Sequence, residues 1–89
     1  MKARYLEVTY RQGKPLAAYL YLPRETGARA ARTEEGGRGL RVDYDAGGKP
    51  IGLELTAPSA VTIADVNAVL GRIGVPELAP EEWAPLGAR

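Results

Sequence analysis

Two stretches of the chain alternate apolar and polar residues with the two-residue period of a half-buried β-strand. They cover residues 40–45 and 51–55, and the residues between them include Gly47 and Gly48, which mark a turn. The pattern therefore predicts an antiparallel hairpin with one buried side. The apolar positions of this hairpin are Leu40, Val42, Tyr44, Ile51, Leu53 and Leu55.

A second pair of alternating stretches, residues 5–10 and 16–22, flanks a turn marked by Gly13 and Pro15. We expect these stretches to form another hairpin. Its outward side chains are predicted at Ala17, Tyr19 and Tyr21. Its inward side chains are predicted at Leu6, Val8, Tyr10, Leu16, Ala18, Leu20 and Leu22.

Residues 28–35 are compatible with a short helix or with an edge strand. Helix propensity favours the helix, but Gly36, Gly37 and Gly39 would end it after barely two turns. We therefore favour a strand or an extended segment.

One stretch has the apolar spacing of an amphipathic helix packed on a sheet. Thr62 is a good N-cap, Asp65 stands at the capping-box position, and Gly74 with Pro76 forms a stop signal. The apolar stripe consists of Ile63, Val66, Val69, Leu70 and Ile73.

Together these elements predict a single small domain over residues 1–89 of the α+β class. It contains an antiparallel sheet of about four strands, built from β-hairpins, with one C-terminal helix packed on one face. Residues 76–89 contain three prolines and Trp83, and we expect them to be either a strap over the core or a flexible tail. The predicted core is Leu6, Val8, Leu20, Leu22, Leu40, Val42, Ile51, Leu53, Leu55, Ile63, Val66, Val69, Leu70 and Ile73.

The composition argues against several kinds of chemistry. The chain of 89 residues has no cysteine, no histidine and a single serine, Ser59, so it lacks the parts of Ser-His and Cys-His mechanisms and the common transition-metal ligands. We expect no enzymatic activity, no cofactor and no metal. The net charge of +1 does not favour a nucleic-acid partner. No apolar run suggests a signal peptide or a membrane span, so we expect a cytoplasmic location and no membrane contact.

Carboxylates near the second turn are the strongest candidates for chemistry. Asp43, Asp45, Gly48 and Glu54 fit positions 1, 3, 6 and 12 of a calcium loop. The flanking residues alternate like strands where that motif needs helices, so turn formation is the better interpretation. Asp43 and Asp45 also share a face as a catalytic pair would, but a solvated hairpin offers no burial to separate their pKa values.

Three tyrosines are the candidate interaction residues: Tyr5, Tyr19 and Tyr21. On the face opposite the helix they could contact another protein, since aromatic residues are enriched in interfaces. They could also stack on single-stranded bases beside Arg4 and Arg11, or turn inward and complete the core. Contact with protein is the interpretation we favour.

Part of the chain resembles a family of small bacterial domains. The similar segments are Thr33–Glu35, residues 39–45, Gly48, residues 52–55 and, upstream, residues 17–22. Over residues 5–57 these motifs resemble domain of unknown function twenty-two eighty-three. The resemblance implies a sheet-based domain without an established activity, and some relatives are suspected partners in toxin–antitoxin pairs. The chain departs from the family at Arg11 and Leu16, where the family usually has aspartates, so a role for that acidic pair does not transfer.

Sequence and resemblance together predict a non-enzymatic protein–protein interaction module. We expect a homodimer that could also act as the antitoxin-like, neutralising partner of another small protein. A weak single-stranded nucleic-acid binder is the second hypothesis, and a carboxylate-based enzyme is the third.

Overall fold

Residues 4–87 are described by a computed structural model, and they form an α+β structure around a five-stranded antiparallel sheet. The spatial order of the strands is β1-β2-β5-β4-β3, so the β1–β2 hairpin joins the β3–β4–β5 meander along β2 and β5. The sheet has one strand more than the predicted number of about four, and the strand favoured over residues 28–35 is present in part as β3. The strands are β1 Tyr5–Arg11, β2 Lys14–Tyr21, β3 Arg32–Gly37, β4 Leu40–Tyr44 and β5 Pro50–Leu55.

The additional strand, β3, comes from the ambiguous region of the sequence. It begins at Arg32 and pairs with β4, with Glu35 opposite Arg41. A Cβ on Gly36 would lie 3.2 Å from Val42 Cγ2 and 3.4 Å from Val69 Cγ1, so the backbone here packs closely between β4 and the helix. This tertiary pairing overrides the helix propensity of the preceding alanines and arginines.

The principal helix, α1 (Ile63–Arg72), begins and ends as its sequence predicts. The Asp65 N–H donates to Thr62 Oγ1 at 3.2 Å, and the Thr62 N–H donates to Asp65 Oδ2 at 3.0 Å, which completes a capping box. At the other end Gly74 has a φ of +77°. The Val75 N–H then reaches the Leu70 carbonyl at 2.9 Å, as in a Schellman motif.

The core lies between α1 and one face of the sheet. Ten of the fourteen predicted core residues are buried, while Leu6, Val8, Ile63 and Ile73 are partly buried against them. One inward prediction is wrong, because Leu16 is 53% exposed. The β2–β5 pairing covers only Ala18 to Tyr21, and the register shift at Thr9/Tyr10 leaves Leu16 without a paired residue on β1. Tyr10 is equally exposed, but it points to the same side of β1 as Leu6 and Val8, where its hydroxyl donates to the Pro85 carbonyl.

The C-terminal strap, which we define as residues 76–87, closes the core beside α1. It contains the short helix α2 (Pro80–Trp83) and a 3₁₀ turn at Ala84–Leu86, so α1 is not the only helix at this end. The strap buries Leu78, Trp83 and Leu86, none of which was predicted in the core. Another 3₁₀ turn, Pro58–Ala60, precedes α1. The last two positions of the predicted 76–89 segment lie outside the described residues.

Arg4 fastens the strap to the first strand. Its Nε donates to Glu82 Oε2 at 2.8 Å, and its Nη atoms donate to the carbonyls of Pro76 and Glu77 at 2.5 and 2.7 Å. The Glu82 carboxylate also accepts the Ala79 N–H at 2.9 Å at the start of α2. On α1, the Asn67 side chain accepts the Leu78 N–H at 2.7 Å. No helix within residues 4–87 has the length and apolar character needed to cross a bilayer.

The Arg4–Glu82 contact predicts a pH dependence of stability. The hydrogen bond from Arg4, followed by that from Ala79, lowers the pKa of Glu82 below its ordinary value. A lowered folded-state pKa stabilises the fold above the unfolded-state pKa of about 4.3, and this contribution is lost as the pH falls through the folded-state pKa. We therefore expect Glu82→Gln to reduce the difference in melting temperature between pH 6 and pH 3. Glu81→Gln, an exposed neighbour, is the control, and an equal effect of both variants would contradict the assignment.

Candidate interaction surface

The sheet has an open face on the side opposite α1 and the strap. Every second residue of a strand points to this face, and residues paired across neighbouring strands line up in rows. Two such rows extend across all five strands. One row runs from edge to edge as Tyr5, Tyr21, Gly52, Asp43 and Thr33. The other row runs as Glu7, Tyr19, Glu54, Arg41 and Glu35.

The three candidate tyrosines contact each other on this open face. The rings of Tyr5 and Tyr21 are stacked, with centroids 4.6 Å apart, and Tyr19 meets Tyr21 edge to face at 4.7 Å. Tyr5 is 49% exposed, whereas Tyr19 and Tyr21 are partly buried. The guanidinium of Arg24 lies 5.2 Å from the Tyr21 ring centroid, within cation–π range. We call these three residues the tyrosine cluster.

Tyr19 crosses from one half of the sheet to the other. Its ring lies over Gly52, where an added Cβ would come within 2.0 Å of the tyrosine Oη. The hydroxyl donates to Asp43 Oδ2 at 2.7 Å, and Thr33 Oγ1 donates to the other oxygen of Asp43 at 2.6 Å. Tyr19 is therefore positioned by its neighbours rather than free to rotate.

Two tyrosines of the cluster have raised pKa values. Burial is the main reason that the pKa of Tyr19 lies well above its ordinary value, and the hydrogen bond to the Asp43 carboxylate adds to the shift. Desolvation also raises the pKa of Tyr21, with a further contribution from Glu7, whose Oε1 accepts the Tyr21 hydroxyl at 3.2 Å. Both phenols therefore stay neutral to a higher pH than an ordinary tyrosine.

The structure separates the carboxylates that the sequence places together. Asp43 lies opposite Gly52, and Glu54 lies opposite Arg41. Asp45 belongs to the turn, where its Oδ1 accepts the N–H groups of Gly47 and Lys49, both at 2.9 Å. Within residues 4–87 no three His, Cys, Asp or Glu side chains are grouped as metal ligands would be. Asp43 and Asp45 therefore have identified structural uses.

The two long rows of the open face carry an excess of negative charge, whereas Arg11 and Lys14, which are paired beside the β1–β2 turn, add two cations to one end of the same face. The rows contain four carboxylates, at Glu7, Glu35, Asp43 and Glu54, whereas their guanidinium groups are those of Arg41 in the rows and of Arg24 above Tyr21. Arg4 does not lie beside the tyrosines as the sequence suggested, because it is bound to the strap on the opposite side. A shallow depression of about 120 Å³ lies between Glu7 and Glu54, next to Tyr19.

Comparisons with known proteins do not assign this chain to a family. No protein-family model matches the sequence, and neither the curated proteins nor the solved structures yield a match. The resemblance described above therefore stays a prediction, and the interpretation of the surface rests on its own geometry.

Sequence reasoning missed four residues around the tyrosines. Glu7, Arg24 and Asp43 contact the tyrosines directly, and Thr33 bonds Asp43. A signal for Asp43 was present, since the predicted hairpin of residues 40–55 places it near Gly52. What could not be predicted was the β2–β5 pairing, which sets Tyr21 opposite Gly52 and so brings Tyr19 within reach of Asp43.

Gly52 should be intolerant of a side chain. We expect Gly52→Ala to displace the Tyr19 ring, break its hydrogen bond to Asp43 and lower the free energy of unfolding by about 1–3 kcal/mol, as overpacking does. Gly71→Ala is the matched control, because a Cβ there meets nothing within 4 Å. That change should stabilise the helix by about 1 kcal/mol. Urea denaturation measures both, and a neutral Gly52→Ala would contradict the close contact.

The Tyr19–Asp43 hydrogen bond should be detectable by alkaline titration. Because the folded-state pKa of Tyr19 is raised, its contribution to stability is present below pH 10 and is lost as the pH rises further. We expect Asp43→Asn to move the late tyrosine transition, followed by absorbance at 295 nm, toward lower pH. Asp45→Asn is the control, and an equal shift in that variant would argue against the assignment.

Proposed function

We propose that this protein is a non-enzymatic protein–protein interaction module that forms homodimers and binds a further protein through the open face. One observation carries the proposal. Three tyrosines in mutual ring contact lie on a sheet face that α1 and the strap leave uncovered.

The tyrosine cluster has the physical properties of a binding anchor. Tyrosine combines a large apolar area with a hydroxyl group and two rotatable side-chain bonds, and it is enriched among residues that dominate interface energetics. Here Tyr19 is already fixed by Asp43, and Tyr21 by its contacts with Tyr5 and Glu7. A partner would lose little additional side-chain entropy in binding them, which is the advantage of a preorganised surface.

The charge of the face indicates the chemistry of the partner. The carboxylates of Glu7 and Glu54, which flank the depression beside Tyr19, favour a protein surface that presents lysine or arginine there. The Glu54 carboxylate makes no hydrogen bond or ion pair with the other residues of 4–87, and it borders the depression beside Tyr19. A basic side chain of the partner would fit between Glu54 and Glu7.

The other two hypotheses have less support from the same face. Single-stranded nucleic acid needs cations to accompany its phosphates, but Arg4 is committed to Glu82 on the opposite side, and Arg11 lies at the far end of β1 from Tyr5. A carboxylate enzyme needs acids brought together, whereas Asp43 and Asp45 are bonded separately. The antitoxin-like role is drawn from the family resemblance and would make the partner another small protein.

A matched pair of tyrosine variants tests the open face. Immobilised protein would capture partners from extracts of the cells that make it, with quantitative mass spectrometry of the bound proteins. We expect Tyr5→Ala to lose a protein that Tyr10→Ala retains, because these tyrosines are similarly exposed, at 49% and 53%, on opposite sides of β1. The purified partner should then bind the Tyr5 variant at least about tenfold more weakly, a difference of about 1.4 kcal/mol.

Two results would contradict this function. Equal capture by both variants would show that the tyrosine cluster does not form the contact. A salt-sensitive shift of a single-stranded oligonucleotide, lost in Tyr5→Ala, would instead support the nucleic-acid hypothesis.

A further inference from the structure

The outer side of β3 is an edge at which another strand can pair. β3 pairs with β4 on one side only, and five of its six residues are exposed. Such an edge presents unpaired backbone N–H and C=O groups. The opposite edge, β1, is bonded to the strap, because the Tyr10 hydroxyl donates to the Pro85 carbonyl and Arg4, just before the strand, binds Glu82. β3 has a register shift between Glu35 and Gly37, but Arg32 to Glu35 pair with β4 in regular register and have no described bond to the strap.

Two copies related by a two-fold axis can join at such an edge in few ways. The strands would be antiparallel, and directly opposed residues would lie on the same face of the continuous sheet. Because side chains alternate between the two faces along a strand, a residue cannot lie opposite the copy of its own neighbour. One residue must therefore lie opposite its own copy, with the axis midway between the two. The candidate axis positions within the exposed stretch are therefore Arg32, Thr33, Glu34 and Glu35.

Charge selects one of these registers. An axis at Arg32 sets two arginines opposite each other, and an axis at Glu34 or Glu35 sets two glutamates opposite each other, which is destabilising. An axis at Thr33 pairs the two threonines. It also places Arg32 of each copy opposite Glu34 of the other, so that two cross-strand ion pairs form. The sequence of β3 is self-complementary in this register alone among the four.

The monomer already holds these charges at the edge. The Nε of Arg32 lies 2.9 Å from Glu34 Oε2, and both side chains are 52% exposed. The guanidinium of Arg32 also stacks over the Tyr44 ring at 4.3 Å, which restricts its motion. In a dimer the two arginines and two glutamates would form a network of four charged side chains across the axis.

We propose that a second copy of this chain pairs with β3 along its open edge, antiparallel, with Thr33 on the two-fold axis. This inference rests on the proposed homodimer and identifies its surface. The two five-stranded sheets become one continuous sheet. Because the axis is perpendicular to the sheet, both open faces lie on the same side, with a tyrosine cluster near each outer edge. The dimer thus leaves both clusters free for the further protein partner.

A charge-swap experiment tests the register. Light scattering should give the unmodified protein a mass near twice the 9.5 kDa of the monomer. We expect Arg32→Glu and Glu34→Arg each to weaken the dimer at least about tenfold, because every substitution creates two like-charge contacts across the axis. A mixture of the two variants should recover the dimer as a heterodimer. Circular dichroism would verify that each variant is folded, and Arg11→Glu on β1 is the control.

The outcomes separate this inference from the proposed function. If both single variants remain as dimeric as the unmodified protein, or if mixing the two variants fails to restore a dimer, β3 is not the interface. Dissociation by Arg11→Glu would identify the β1 edge instead, and dissociation by Tyr21→Lys alone would identify the open face. A monomer at all concentrations would remove both the homodimer and this inference. The capture experiment with Tyr5→Ala would still report on binding of another protein.

Discussion

The fold depends on the four residue pairs that join β2 to β5. On the core side of this seam Leu20 lies opposite Leu53, and both are fully buried. On the open side Tyr21 lies opposite Gly52, and the missing side chain leaves room for the Tyr19 ring to cross the seam. The hydroxyl then reaches Asp43 on β4. The same junction therefore organises the hydrophobic core on one face and the tyrosine cluster on the other.

This arrangement divides the tyrosines into two roles. Tyr19 is a structural residue first, because its hydrogen bond to Asp43 spans two strands and its burial raises its pKa. Tyr5 is the most accessible member of the cluster, and its stacking on Tyr21 extends the aromatic surface outward. Substituting Tyr5 therefore tests the proposed binding with little effect on the fold, whereas substitutions at Tyr19 would also change fold stability.

The sequence predicted the elements that are held by local chemistry. Alternation identified both hairpins, and the Thr62–Asp65 capping box together with Gly74 identified α1, since each of these signals acts within a few residues. β3 and the strap were harder, because they are held by distant contacts. β3 follows residues with helix propensity and is stabilised by pairing with β4, and the strap is fastened by Arg4 from the other end of the chain.

The candidate surface also combines features that local sequence predicts with features that depend on distant parts of the chain. Its tyrosines could be selected from alternation in β2, but the charge around them could not, because each row combines residues from five strands. Arg4 illustrates the difference: adjacent to Tyr5 in sequence, it points to the opposite face and neutralises Glu82 there. The pleat of a single strand thus places two adjacent side chains on opposite faces of the sheet, so that Arg4 fastens the strap while Tyr5 extends the aromatic surface.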